Sequence, residues 1–335
     1  MSMSELGSLS GNGGTRLAGL ARYLGGGRDT PLGLLAILIL LVIILSIGSP
    51  YFLTAVNLLN IGRGIAIVGL LAVGMTIVII SGGFDLSVGS TMAASGMVAG
   101  WLAMQGVPLP VAFAAALALG VIIGLANGAI ISYGRINPLI ATLATLAIVR
   151  GCGYVVSGGR EIVISNQAFQ KLGVGTFLGV PYIVLLLVAV FLIFAWLMPR
   201  TLFGRYAYAI GSSAKAAQRA GVPVARWRIT YYVTSGALAA LAGLVFVART
   251  GNAQPSAGAG IELDVITAVI LGGTSLNGGR GRLSGTFIAL ILLGVINNGL
   301  ILMGVPAFWQ QVVKGSILLV AVLYDELRRH RVEEA

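Results

Sequence analysis

Charge is what this sequence has least of. Only 9% of its 335 residues are Asp, Glu, Lys or Arg, against about 25% in a soluble domain. That is too little to wet the surface of a globule, so lipid must be the solvent for much of the chain. Cys152 is the single cysteine, which excludes an intrachain disulfide. His330 is the single histidine and stands near the C-terminus, which excludes a His/Cys metal cluster and a Ser/His/Asp triad in the apolar part. The G-x-x-x-x-G-K-[ST] order of a nucleotide phosphate loop is absent. Acids are fewer than bases, 10 to 21, for a net charge of +11. The bases sit in short stretches between apolar runs, where such charges set membrane topology rather than bind nucleic acid.

What is present is apolar: 57% hydrophobic residues and a mean hydropathy of +0.98. Backbone in lipid must satisfy its own hydrogen bonds, so only helices and closed barrels span. The runs are long and unbroken, as helices require, and lack the alternating segments of about 10 residues that make a barrel. They fall near 32–47, 61–80, 86–104, 110–131, 138–156, 181–198, 229–249, 264–276, 284–303 and 309–324. Their lengths give about ten spans, an all-α polytopic architecture. The run at 264–276 is short and polar-edged, and reads as a half-helix or re-entrant segment buried in protein. The first run follows a long polar stretch and reads as a retained anchor rather than a signal peptide. The 49 glycines fit helices packed closely in a membrane. Residues 1–30 read as a disordered cytoplasmic tail, residues 31–326 as the transmembrane domain and 327–335 as a second cytoplasmic tail.

The basic residues orient the chain. With both termini cytoplasmic, the inner segments hold Arg16, Arg22, Arg28, Arg135, Arg200, Arg205, Lys215, Arg219, Arg226, Arg228, Arg280, Arg282, Arg328, Arg329 and Arg331, which is 15 of 21. The reverse orientation would violate the positive-inside rule.

The longest polar interruption, residues 200–228, carries six bases and no acid. Ser213 can cap a short helix, 214–220 favours one, Gly221 suits the position just past its end, and Pro223 prevents continuation. Lys215 and Arg219 share one face, and Ala216, Ala217 and Ala220 another. The stretch reads either as a basic anchor at the headgroups or as a stubby helix for docking in a partner's groove. Its residue order shifts the balance toward the second. Gly204-Arg205-Tyr206, Ala209-Ile210-Gly211-Ser212 and Ala216-Ala217-Gln218-Arg219-Ala220-Gly221-Val222 resemble the cytoplasmic loop of sugar-importing ABC permeases of the ribose/xylose/arabinose, binding-protein-dependent type, although that family usually has Asn where this chain has Ser213.

Three more stretches carry the resemblance. In Ser81-Gly82-Gly83-Phe84-Asp85-Leu86-Ser87 the family commonly has Ile at Phe84; Asp85 either caps the following helix or stands in the path as an ionisable group at membrane depth. In Asn137-Pro138-Leu139-Ile140-Ala141-Thr142, Pro138 fits a helix first turn, and Thr142 and Thr145 are interhelical hydrogen-bonders or sugar ligands. The third runs through Leu271-Gly272-Gly273-Thr274-Ser275-Leu276-Asn277-Gly278-Gly279-Arg280-Gly281, then Asn297-Asn298-Gly299 and Phe308-Trp309-Gln310-Gln311-Val312-Val313-Lys314. Asn297, Asn298, Gln310, Gln311 and Lys314 interrupt apolar runs and must face the bundle, a partner or a wet cavity. The Gly-Gly-x-x-Leu pattern of 82–86 recurs at 272–276 and hints at an internal repeat.

The resemblance covers nearly all of residues 50–322. It implies a permease of the type II ABC importer fold in the bacterial inner membrane, a homodimer or a heterodimer with a similar permease. It implies two other partners: a cytoplasmic sugar-import ATPase, docked on Gly204, Arg205, Gly211, Ser213, Ala216, Ala217, Arg219 and Gly221, and a periplasmic or lipid-anchored sugar-binding protein. ATP and Mg would sit on the ATPase, with no cofactor on this chain. The cargo would be a pentose, hexose or related polyol. Rival readings are a branched-chain amino-acid permease of the same machine and a secondary transporter, for which Asp85, Asp264 and Lys314 are thin material for a proton relay.

Overall fold

The computed structural model describes residues 32–333. Thirteen helices follow in order: α1 Leu32–Gly48, α2 Ala55–Ile80, α3 Val88–Met104, α4 Leu109–Tyr133, α5 Pro138–Ser157, α6 Gln167–Val174, α7 Tyr182–Arg200, α8 Leu202–Ser212, α9 Ala214–Arg219, α10 Val224–Thr250, α11 Ile261–Leu271, α12 Leu283–Leu302 and α13 Ala307–Glu333. Two antiparallel ladders of two residues per strand accompany them, β1 Ile162–Val163 with β4 Asn252–Ala253 and β2 Thr176–Phe177 with β3 Val180–Pro181. Six helices (α2, α4, α5, α7, α10 and α12) are long and apolar enough to cross a membrane, and three shorter apolar helices lie in α1, α3 and α13. The expected residue 1–30 tail lies outside the described residues.

Helices α2 and α10 form the centre and are mostly buried, whereas α4, α5 and α7 bury little and turn apolar side chains outward. In lipid that outward face costs nothing, and the inward face is cut for close approach. Gly120, Gly124 and Gly128 recur every four residues along α4. A Cβ on any of them would overlap the α10 backbone, at Gly236, Tyr232 and Ile229 respectively. This is small-residue packing of membrane helices, in which glycine lets main chains touch.

Each expected run falls on a helix, with shifted ends. α2 starts six residues before its run because Thr54 caps it, accepting from the Asn57 N–H at 3.3 Å, while Asn57, Asn60 and Arg63 mask its apolar character in the sequence. α13 continues past the expected end of its run to Glu333, into the segment read as a tail. The stretch 200–228 is no open loop: α8, α9 and the start of α10 occupy most of it. Nor does the term all-α hold between 156 and 181, where α6, β1, β2 and β3 build a cap that docks by Phe169, its ring tilted by 55° against Phe113 at 5.0 Å.

The short run near 264 resolves into a broken segment. α11 has 11 residues, about 16 Å at 1.5 Å per residue, half of a hydrocarbon core of about 30 Å. Ahead of it, residues 252–260 are irregular apart from β4 and run along α3, from Ala253 beside Gly100 to Gly258 beside Gly89. Ala253, Pro255 and Ala257 are buried while Ser256, Ala259 and Gly260 are exposed, so one side of this irregular backbone rests on protein.

The repeated Gly-Gly pattern has a shared structural role. At the end of α2, Gly82 takes φ +79° and the Gly83 N–H reaches back to the Val78 carbonyl at 2.9 Å; at the end of α11, Gly273 takes φ +85° and the Thr274 N–H reaches Val269 at 3.2 Å. Both are left-handed glycine stops with the same six-to-one bond.

Candidate functional site

The polar stretch 200–228 is built as a short helical pair leading into α10. Thr201 N–H donates to Leu197 O at 3.1 Å, and α8 folds back so tightly that a Cβ on Gly204 would overlap the Met198 carbonyl. The Ser213 hydroxyl accepts from the Ala216 N–H at 3.2 Å and starts α9. Gly221, at φ +84°, ends it, with the Val222 N–H reaching Ala217 O at 3.0 Å. Arg205, Lys215, Ala216, Arg219, Ala220 and Gly221 are exposed. Ala217 is buried in this chain's own core, so the three alanines do not present one face outward: Ala217 seats α9 on the membrane part and leaves Ala216 and Ala220 at the surface.

The α8 end of this pair is bound to the membrane helices through main chain. The Gly279 N–H donates to Ile80 O, the last carbonyl of α2, at 2.8 Å. Gly211 lies against both groups, and a Cβ there would overlap the Ile80 carbonyl. A Cβ on Gly278 would come within 2.8 Å of the Gly82 Cα. Tyr208 Oη adds a bond to Gly281 O at 2.9 Å. The end of α8, the Gly-Gly stop of α2 and the turn between α11 and α12 therefore meet in one glycine junction.

Deeper in the bundle, Asp85 is 2% exposed. Its Oδ1 accepts from the Ser87 N–H at 3.1 Å and from Ser87 Oγ at 2.6 Å; its Oδ2 accepts from Ser235 Oγ on α10 at 2.7 Å. Asn127 of α4 donates to Ser87 Oγ at 2.9 Å and accepts from Thr145 Oγ1 of α5 at 2.6 Å. Ser235, Asp85, Ser87, Asn127 and Thr145 thus form an interior polar chain across four helices. Asp85 is a bundle contact at the start of α3, closed off from any open surface. Thr142 is buried and returns its hydroxyl to Pro138 O at 2.8 Å; Asn137 caps α5 through the Leu139 N–H at 2.9 Å.

A third polar group surrounds a cavity of about 530 Å³ between α2, α11, α12 and α13, with Arg249 of α10 at its edge. Asn57, Asn60, Thr267, Asn297 and Asn298 supply neutral hydrogen-bonding groups to its wall, and Asp264 and Lys314 supply a carboxylate–ammonium pair at 2.7 Å. Asn57 and Asn298 bond reciprocally, at 2.9 and 2.7 Å. The Arg249 guanidinium donates to Arg63 O at 2.9 Å. A second cavity, about 300 Å³ between α1, α2 and α12, is lined by Leu, Ile, Val, Phe and Gly alone and offers no side-chain partner to a polar solute.

Of the polar residues singled out in the sequence, Asn297, Asn298 and Lys314 meet at the cavity. Asp85, Asn137 and Thr142 stand elsewhere; Gln310 engages Val305 O at 2.9 Å, and Gln311 is exposed on α13. The sequence reading passed over Asn57, Asn60 and Asn127. A signal existed for the first two: Asn57, Asn60, Gly64 and Val68 recur at helical spacing, and all four line the cavity.

Comparison with known proteins relates the chain to transport permeases. A family described as "Branched-chain amino acid transport system / permease component" matches residues 57–322. The ribose import permease protein of Bacillus subtilis (strain 168) is 46% identical over 290 residues, covering 86% of this chain and 90% of that protein. The ribose import permease protein of Escherichia coli (strain K12) is 43% identical over 300 residues, covering 88% and 93%. The L-arabinose transport system permease protein of the same strain is 40% identical over 297 residues, covering 89% and 90%. No solved structure matches. A polytopic helical bundle matched nearly end to end by such relatives belongs to the permease family of ABC importers that includes the ribose and arabinose import permeases.

Proposed function

We propose that this chain is the multi-pass inner-membrane permease subunit of an ABC importer and carries a monosaccharide, a pentose, hexose or related polyol, into the cell. The observation that carries the reading is the amide-walled cavity. Its volume lies in the range of about 300–1,000 Å³ usual for small-molecule clefts. Its side-chain amides and hydroxyl suit a neutral polyhydroxylated solute; its one carboxylate and one lysine are paired with each other, and Arg249 gives its guanidinium to the Arg63 carbonyl, which leaves no free anion on the wall. The ribose and arabinose permeases named above support the same cargo class. A zwitterionic amino acid would need free charges of both signs, so the sugar fits better.

The finer architecture follows from the basic-residue tally. About ten membrane-embedded helical segments with both termini cytoplasmic place α8, α9 and the glycine junction inside. The cavity then lies in the outer half, its Asn57 and Asn298 ends toward the periplasm. In this arrangement α9 is the coupling helix. A cytoplasmic ATPase, binding ATP and Mg, docks on Arg205, Ala216, Arg219 and the cap residues Ser213 and Gly221. A periplasmic or lipid-anchored binding protein delivers sugar from the other side, and two such permeases form the pore. This chain binds no cofactor of its own, and the far end of α13 reaches the cytoplasmic side.

Reconstitution with the ATPase and candidate binding proteins, followed by a panel of labelled ribose, arabinose, xylose, galactose and leucine, tests the cargo. ATP-dependent uptake of at least one sugar is expected; uptake of leucine alone would overturn the assignment. For topology, a reporter fused after Arg219 should read as cytoplasmic, and a periplasmic signal would invert the model of the importer.

A further inference from the structure

The polar groups around the large cavity are turned on one another. Asn57 Nδ2 donates to Asn298 Oδ1 at 2.9 Å, and Asn298 Nδ2 returns the bond to Asn57 Oδ1 at 2.7 Å, across 241 residues of sequence. Asn57 also donates to Phe52 O at 2.8 Å. Lys314 holds Asp264, and Thr267 donates to Leu263 O at 2.6 Å. A sugar entering the cavity in this conformation finds much of the wall's hydrogen-bonding capacity already engaged.

A primary amide offers two donor hydrogens and two acceptor lone pairs. In the reciprocal pair, each amide gives one donor and one acceptor to the other. Separation of α2 from α12 would therefore bare a donor beside an acceptor on both helices. Two adjacent sugar hydroxyls, each able to donate and accept, match that pattern; an apolar solute, or one lacking a hydroxyl, leaves amide groups unpaired. A site built to hydrogen-bond a hydroxyl rejects an analogue without it far more strongly than an apolar pocket rejects a change in size.

We propose that the Asn57–Asn298 amide pair is the specificity-determining contact of the path, mutually satisfied in this conformation and handed over to vicinal hydroxyls of the passing solute when α2 and α12 separate. The proposal rests on the sugar-permease reading and adds to it a residue pair and a ligand class, a neutral solute with adjacent hydroxyls.

The test uses the complete importer, permease with ATPase and binding protein, in proteoliposomes, with a labelled pentose and its deoxy analogue as probes. Three forms are compared: wild type, Asn298→Leu, and the double variant Asn57→Leu with Asn298→Leu. Replacing both partners of a buried pair by apolar groups of similar shape is nearly neutral for folding, whereas removing one leaves the other orphaned. A structural role of the reciprocal pair is thus repaired in the double variant, apart from the Phe52 carbonyl that loses its Asn57 donor, and a role in handing sugar through is not. The expected result is a fall of roughly tenfold or more in pentose carried per ATP hydrolysed in both variants, together with loss of the preference for pentose over deoxypentose. Recovery in the double variant, unchanged transport, or loss of assembled complex in the double variant would each overturn the proposal and leave the sugar reading standing. If the wild-type importer carried no sugar at all, the sugar reading itself would fall, and the proposal with it.

Discussion

Replacing Gly211 by alanine should loosen the glycine junction and weaken the mechanical connection between the α8–α9 pair and the bundle. The added Cβ would overlap Ile80 O and crowd the Gly279 N–H, the two groups that share a 2.8 Å bond. Both neighbours are main chain, so no rotamer change gives relief; α8 must back away or the bond must open. Loss of the bond costs about 1 kcal/mol net, and overpacking about 1–3 kcal/mol. Alanine is the better helix former by about 1 kcal/mol, which leaves a net destabilisation of about 1–3 kcal/mol. Gly151→Ala is the control: nothing lies within 4 Å of a Cβ there, in the interior of α5, so only the helix-propensity gain remains. Denaturation midpoints in a mild detergent, measured by titration with a harsher one, compare the two. Sugar carried per ATP, measured in proteoliposomes, should fall for Gly211→Ala and hold for Gly151→Ala. Equal midpoints and equal coupling for the two variants would refute the claim that this junction transmits anything.

Three further outcomes are expected. Ser235→Ala removes the 2.7 Å bond to Asp85 Oδ2 and should cost about 1–3 kcal/mol, because it leaves a buried acceptor with one partner fewer; a midpoint unchanged in detergent would deny the contact its role. Lys314→Met leaves Asp264 unpaired, but the two side chains are 39% and 30% exposed, so the stability loss should stay within about 1 kcal/mol; a charge swap, Asp264→Lys with Lys314→Asp, should recover it in the same titration. Ala217→Pro removes the N–H that bonds Ser213 O at 2.9 Å and breaks α9; sugar-stimulated ATP hydrolysis by the assembled importer should disappear, and its survival would detach α9 from coupling.

Local signals in the sequence carried far, and pairings distant in the chain did not show. Ser213, Gly221 and Pro223 state where α9 starts and stops because a cap is a contact between near neighbours. The half-length of α11 is readable from its short run for the same reason. The burial of Ala217 is not, since nothing within α9 distinguishes it from Ala216; the distinction comes from the core against which the helix rests. The Asn57–Asn298 pair and the meeting of Ile80, Gly211 and Gly279 join segments far apart in sequence, and no pattern inside one segment encodes them. The recurrence of the Gly-Gly pattern is legible in the sequence, while the convergence of its two copies on one point depends on how α2, α8 and α11 pack.

The interior polar chain also has a consequence for how the protein is made. Asp85 emerges from the ribosome 150 residues before Ser235, about 8–30 s earlier at 5–20 residues per second. During that interval its carboxylate has only Ser87, two residues on, to hold it, while α2 and α3 are already presented to the membrane. The nascent chain must keep this acid at the water boundary, or in the insertion machinery, until α10 arrives. The order of synthesis therefore sets when α3 can settle: its first turn is a late event in assembly, although it is among the earlier segments translated.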